Sequence, residues 1–143
     1  MDNIAVLSGL KEVVIRQSNK LQDVTPLGRL AQLEKVDLTE SNISQLPKGW
    51  AGPVSSLTLQ ACTELTSLGK LPPALTTLDC DECVSLPMLD GMELCNRLER
   101  ISVESCTALV SLGTPPSCLK ELRARKSSSL RTLRGLKACT QLQ

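Results

Sequence analysis

Residues 54–74, VSSLTLQACTELTSLGKLPPA, and residues 75–97, LTTLDCDECVSLPMLDGMELCNR, are two versions of one pattern. Each opens on an apolar residue (Val54, Leu75), repeats apolar residues three and five places on (Leu57 and Leu59, Leu78 and Cys80), and places a cysteine eight places in (Cys62, Cys83). Leucines then return at Leu65 and Leu68, and at Leu86 and Leu89. Working outward, the same opening residue recurs at Leu10, Leu33, Leu98, Leu119 and Leu142, which gives successive spacings of 23, 21, 21, 23, 21 and 23 residues. A period of this size predicts a stacked solenoid, in which each unit buries its apolar face only against its neighbours. Function in such a fold is spread over a repeated surface, so the chain is expected to bind a partner and not to transform a substrate.

Column by column, the register holds. Val13, Val36, Leu57, Leu78, Ile101 and Leu122 align, and two residues later Ile15, Leu38, Leu59, Cys80, Val103 and Ala124. This alternation predicts a short half-buried strand in each unit. Ser18, Ser41, Cys62, Cys83, Cys106 and Ser127 follow at the exit from the strand, where small donors fit and can satisfy carbonyls freed by the turning backbone. Leu21, Ile43, Leu65, Leu86, Leu109 and Leu130 form the next apolar column, then Val24, Leu46, Leu68, Leu89, Leu112 and Leu133. Each unit contributes roughly six or seven aliphatic side chains at about 1.5–3 kcal/mol apiece before entropy is subtracted, so stability is expected from stacking and not from any single unit.

The LxxLxLxx(S/C)xxL unit resembles the leucine-rich repeat family over essentially the whole chain, with repeats starting near residues 10, 33, 54, 75, 98 and 119 and partial repeats at both ends. The copies LTLQACTELTSL and ISVESCTALVSL are similar to those of plant intracellular immune receptors and of some protozoan proteins; the family's usual turn asparagine is replaced by Ser or Cys, and the second copy, LEKVDLTESNISQLP, keeps a shorter NxL spacing. The resemblance implies an α/β solenoid in one domain, with a parallel sheet on the concave side and loops, polyproline segments or short helices on the convex side. The 21-residue copies carry LGKLPPA and LGTPPSC, whose paired prolines favour extended backbone. The 23-residue copies carry LGRLAQLEK, GMELCNRLER and RGLKACTQLQ, whose apolar spacing allows one or two helical turns.

Length and composition agree with one domain: 143 residues, 41% apolar, net charge +1. Aromatic residues are nearly absent, with no Phe or Tyr and one Trp. Trp50 shares its offset with Leu27, Leu71, Met92, Pro115 and Leu136, which reads as core or rim packing, with a binding hot spot as the rival reading. The seven cysteines fall into the frame: Cys62, Cys83 and Cys106 in the turn column, Cys95, Cys118 and Cys139 in a second column, and Cys80 on a strand. Buried structural thiols are expected. Cys80 and Cys83 spell CxxC, leaving zinc and disulfide readings open, although no second pair or histidine accompanies them. An odd thiol count and an N-terminal stretch unlike a secretory leader point to an intracellular, cytoplasmic setting, and no stretch is long enough to span a membrane.

The chain has no histidine, which excludes Ser/His/Asp and Cys/His nucleophilic arrangements and the HExxH metal motif. Asp79 with Asp81 is the nearest approach to an acid/base pair, but on an open sheet face. No phosphate loop occurs. The expectation is no enzyme, no cofactor and no metal.

Outward residues of the strands then define the candidate interface: Arg16, Asp37, Thr39, Thr58, Gln60, Asp79, Asp81, Glu82, Arg100, Glu104, Arg123, Arg125 and Lys126. The fourth repeat reads as acidic and the sixth as basic, a polarity that would orient a charged protein partner. Lys120, Arg131, Arg134 and Lys137 extend the basic end, where nucleic acid is an alternative ligand, opposed by the lack of stacking aromatics. Ile4 and Leu7 match the end of a preceding copy and Leu142 opens a copy that does not follow, so end-to-end self-association or capping by another subunit is a further alternative.

Overall fold

Six strands form a single parallel sheet in chain order: β1 (Glu12–Val14), β2 (Lys35–Asp37), β3 (Ser56–Thr58), β4 (Thr77–Asp79), β5 (Arg100–Ser102) and β6 (Glu121–Arg123). The computed structural model describes residues 7–143; Ile4, assigned above to a preceding copy, lies outside them. The register places Val13, Val36, Leu57, Leu78, Ile101 and Leu122 side by side, so the first sequence column is a physical column in the core. The second column, from Leu38 to Val103, is fully buried behind it. Each strand packs only on its immediate neighbours.

The ladder continues beyond the three residues of each strand. Leu38, Leu59, Cys80 and Val103 donate to carbonyls of the next unit at 2.7–2.9 Å. Two residues on, Gln17, Glu40, Ala61, Glu82 and Ser105 do the same, and these residues, with Lys126, have φ of +55° to +61°. The left-handed conformation is what turns the chain inward while keeping that last N–H aimed along the stack, even though no glycine occupies the position.

The turn column performs the expected task. The thiols of Cys62, Cys83 and Cys106 donate to the carbonyls of Leu38, Leu59 and Cys80 in the preceding unit at 3.0–3.2 Å, and the Ser127 hydroxyl donates to Val103 at 2.6 Å. Ser41 departs from the pattern, its buried hydroxyl having no partner. A second thiol ladder lies across the stack, where Cys95 and Cys139 donate to Pro72 and Pro116 at 3.4 Å and Cys118 to Leu98 at 3.3 Å. All seven cysteines are free. Burial pushes the Cys62 and Cys106 thiols up to about 12 and Cys95 to about 11, so the nucleophilic thiolate is scarce. A thiol reagent at pH 8 is therefore expected to leave these three unmodified in the native protein and to label them on unfolding, as mass spectrometry would show; prompt labelling of the native protein would contradict the buried ladder.

The far side of the stack partly corrects the sequence reading. The helical turns expected in LGRLAQLEK and RGLKACTQLQ exist as 3-10 segments, Thr25–Arg29 and Arg134–Ala138, whereas GMELCNRLER forms turns that leave Leu94 exposed. No α-helix occurs among the described residues. Glycines on this side make tight contacts between units, within the 3-10 segments and within the turns alike. A side chain on Gly91 would strike the Gly69 carbonyl, one on Gly113 the Leu89 carbonyl, and one on Gly135 the Gly113 carbonyl. The units touch backbone to backbone there.

Candidate functional site

The outward face of the sheet carries three columns. The strand register aligns Asp37, Thr58, Asp79, Ser102 and Arg123 in the first. Two residues further along, Arg16, Thr39, Gln60, Asp81, Glu104 and Arg125 form the second, and the left-handed residues, Glu82 and Lys126 among them, border the face. The sequence-derived residues thus occupy one continuous surface, with Arg100 at the start of β5.

Their charges are not equivalent. Arg16 donates from Nε and Nη2 to Asp37 Oδ2 at 2.8 and 2.6 Å, while Asp37 Oδ1 accepts the amide and hydroxyl of Thr39 at 3.1 and 2.7 Å. Arg125 pairs with Glu104 at 3.0 Å, and Glu121 takes both Arg123 at 2.6 Å and Arg100 at 3.6 Å. Four of the five cations are therefore ion-paired within the face, two of them sharing Glu121, and Lys126 has no ion-pair partner among the described residues. Asp79, Asp81 and Glu82 have no ion-pair partner among the described residues. Asp81 Oδ1 instead accepts the Ser102 hydroxyl at 2.6 Å and the Glu104 amide at 2.7 Å, and Asp79 Oδ1 accepts the Asp81 amide at 3.0 Å. A depression of about 240 Å³ lies here, its lining including Asp79, Asp81, Ser102, Arg100, Glu121 and Arg123. The acidic-to-basic polarity expected from sequence takes the form of an acidic centre beside a basic flank whose arginines are paired with Glu104 and Glu121. Sequence places Glu121 among the outward residues but does not reveal its pairing with Arg100 and Arg123, because such pairing depends on side-chain reach and not on spacing.

Two half-buried carboxylates of the outward face respond oppositely to this setting. Partial burial lifts the Asp79 carboxyl above its ordinary 3.8, the Asp81 amide works against the rise, and the negative charges of Asp81, Asp37 and Glu104 add to it. Burial also acts to raise Asp37, but the hydrogen bonds from Arg16 and Thr39 outweigh it and hold that carboxyl below 3.8. Charged Asp79 thus weakens the fold above its raised native value, and the penalty vanishes as pH falls below 3.8. Asp79→Asn is expected to raise the urea midpoint at pH 7, with the gain closing as pH approaches that value. Asp37 contributes stability above 3.8 that is lost as pH falls through its lowered native value, so Asp37→Asn should lower the pH 7 midpoint. A loss of stability in Asp79→Asn at pH 7 would contradict the electrostatic picture.

No group of three or more His, Cys, Asp or Glu among the described residues is arranged to hold a metal ion. No helix among them is long and apolar enough to cross a membrane.

A parallel one-strand-per-unit ladder, in-register leucine columns and donor side chains at each turn decide the architecture. The chain folds as a parallel solenoid of the leucine-rich-repeat type. One stretch of it is 42% identical over 57 residues to TMV resistance protein N of Nicotiana glutinosa, covering 38% of the chain and 5% of that protein. The solenoid therefore corresponds to a small part of that relative's length. No family model and no solved structure matches it.

Proposed function

We propose that this leucine-rich-repeat solenoid is a non-enzymatic protein-interaction module that reads its partner through the outward sheet face. One observation carries the reading: Asp79, Asp81 and Glu82 form an uncompensated acidic centre on a face whose arginines are otherwise self-paired. A partner segment carrying Lys or Arg meets that charge without displacing an existing ion pair, and attraction of this kind sets encounter rate and register. The relative's printed name, a resistance protein, agrees with a recognition role. Asp79 and Asp81 do not form an acid/base machine in this proposal, since Asp81 is occupied by Ser102 and Glu104 and the chain offers no histidine. Seven free thiols suit a reducing, intracellular compartment.

Reversal of all three acids, Asp79→Lys with Asp81→Lys and Glu82→Lys, is expected to abolish capture of the partner from native extract while circular dichroism stays unchanged. Undiminished capture with intact structure rejects the face as the site.

The end rungs favour a second reading. Leu122, Ala124, Leu130, Leu136 and Leu142 at one end and Leu10, Val13, Ile15 and Leu21 at the other are only partly buried, and β1 and β6 each have one unpaired edge among the described residues. Such faces suit another subunit or copy. Light scattering that finds a monomer at high concentration opposes self-association. The nucleic-acid reading weakens, because Arg123 and Arg125 of the basic end are already paired to Glu121 and Glu104.

A further inference from the structure

Away from the sheet, the cations of the first three repeats are arranged differently from those of the sheet face. Arg29, Lys48 and Lys70 are exposed and take part in no ion pair among the described residues. They line two adjoining open depressions of about 380 and 430 Å³, Lys70 the first, Arg29 the second, and Lys48 with Pro47 both, which together form a shallow groove in the proposal below. Trp50 forms part of its wall. Its indole Nε1 donates to the Lys70 carbonyl at 3.2 Å, and its ring is half buried against the core, so its plane is fixed across the junction of the second and third repeats. Two carboxylates, neither of them in the lining, hydrogen-bond to lining residues: Asp23 accepts the hydroxyl of Thr25 at 2.6 Å, and Asp90 accepts the hydroxyl of Ser67 at 2.9 Å.

We infer that this groove is a second docking surface, distinct from the sheet face, for an acidic peptide segment that seats an apolar side chain against Pro47 and Trp50 between the three cations. The occupant follows from charge and from the aromatic. Three unpaired cations call for carboxylates, and a rigid Trp beside a buried proline supplies the desolvated contact around which interface energy concentrates. A nucleic acid fits less well, because three cations neutralise few phosphates and a single ring offers no platform for successive bases. The other reading of Trp50, core packing, accounts for its contact with the core and not for its place in the wall of the second depression.

The molecule supplies its own reporter, since Trp50 is its one aromatic residue. Titration with a six-residue peptide alternating glutamate and leucine is expected to shift Trp50 emission in a saturable way, with a lysine–leucine peptide producing no shift. Lys48→Glu with Lys70→Glu should weaken the acidic peptide by about tenfold or more. If that variant misfolds by circular dichroism, Lys48→Gln with Lys70→Gln replaces it, with the same direction of effect. The triple reversal at Asp79, Asp81 and Glu82 should leave the titration unaltered, so failure of the sheet-face proposal and failure of this one are separable. Unchanged emission together with no heat of binding in calorimetry overturns the inference. So does equal or tighter binding of single-stranded RNA, or an affinity insensitive to Lys48 and Lys70.

Discussion

Gly91→Ala is expected to destabilise the solenoid by about 3 kcal/mol or more, enough to shift its urea midpoint far below that of the parent. Two costs combine at this position. Gly91 has φ of +74°, which charges an L-residue about 1–2 kcal/mol. The added methyl also meets the Gly69 carbonyl, a backbone group in the adjoining unit that no rotamer change can move aside. Other glycines separate the two terms. Gly69, at +59° with open space around it, should show the conformational cost alone. Gly28 and Gly135, at ordinary φ but facing the carbonyls of Gly49 and Gly113, should show the steric cost alone. Gly49 has neither, and Gly49→Ala is expected to be neutral or to stabilise by up to about 1 kcal/mol through the unfolded chain. Equal midpoints for Gly91→Ala and Gly49→Ala would disprove the backbone contact.

Leu78→Ala is expected to cost about 3–5 kcal/mol, and Leu122→Ala only about 1–2 kcal/mol, although both remove the same atoms from the same column. Leu78 is fully buried between Leu57 and Ile101. Leu122 touches Ile101 on one side and is partly exposed on the other. A cavity opened inside the stack cannot collapse because the backbone ladder holds the walls apart, whereas the last rung can relax or admit water. Equilibrium urea unfolding of the two variants measures the difference. Identical losses would mean that the stack is stabilised as a whole and not through nearest neighbours.

The fold was legible because solenoid packing forces chemistry into phase. Leu57, Leu78 and Ile101 must be apolar at one offset, and Cys62, Cys83 and Cys106 must be small donors at another, so a single sequence reveals its own columns. Three things were not legible, each for its own reason. The left-handed position is occupied by Gln17, Glu40, Ala61, Glu82, Ser105 and Lys126, a set with no shared chemistry, because the backbone geometry is imposed by the ladder and not by the residue. The glycine contacts fall at shifting offsets, Gly91 and Gly113 being placed differently within their repeats, so column alignment passes over them. On the sheet face, Arg125 and Glu104 read as separate charges 21 residues apart until the fold brings them to 3.0 Å. That pairing reduces the charge of the basic half without removing it, since Arg100 and Arg123 share Glu121 and Lys126 has no ion-pair partner among the described residues, and it leaves Asp79, Asp81 and Glu82 as the unpaired acids of the candidate face.

Units of 21 and 23 residues present the same inward columns, and each meets only the unit before and after it. Duplication or deletion of one whole unit during descent would therefore leave two matching surfaces to close against each other. The molecule would lengthen or shorten by one strand spacing, about 4.8 Å, and the chemistry on either side of the change would survive. Inheritance can thus alter this chain by whole copies more safely than by single residues at its glycine contacts.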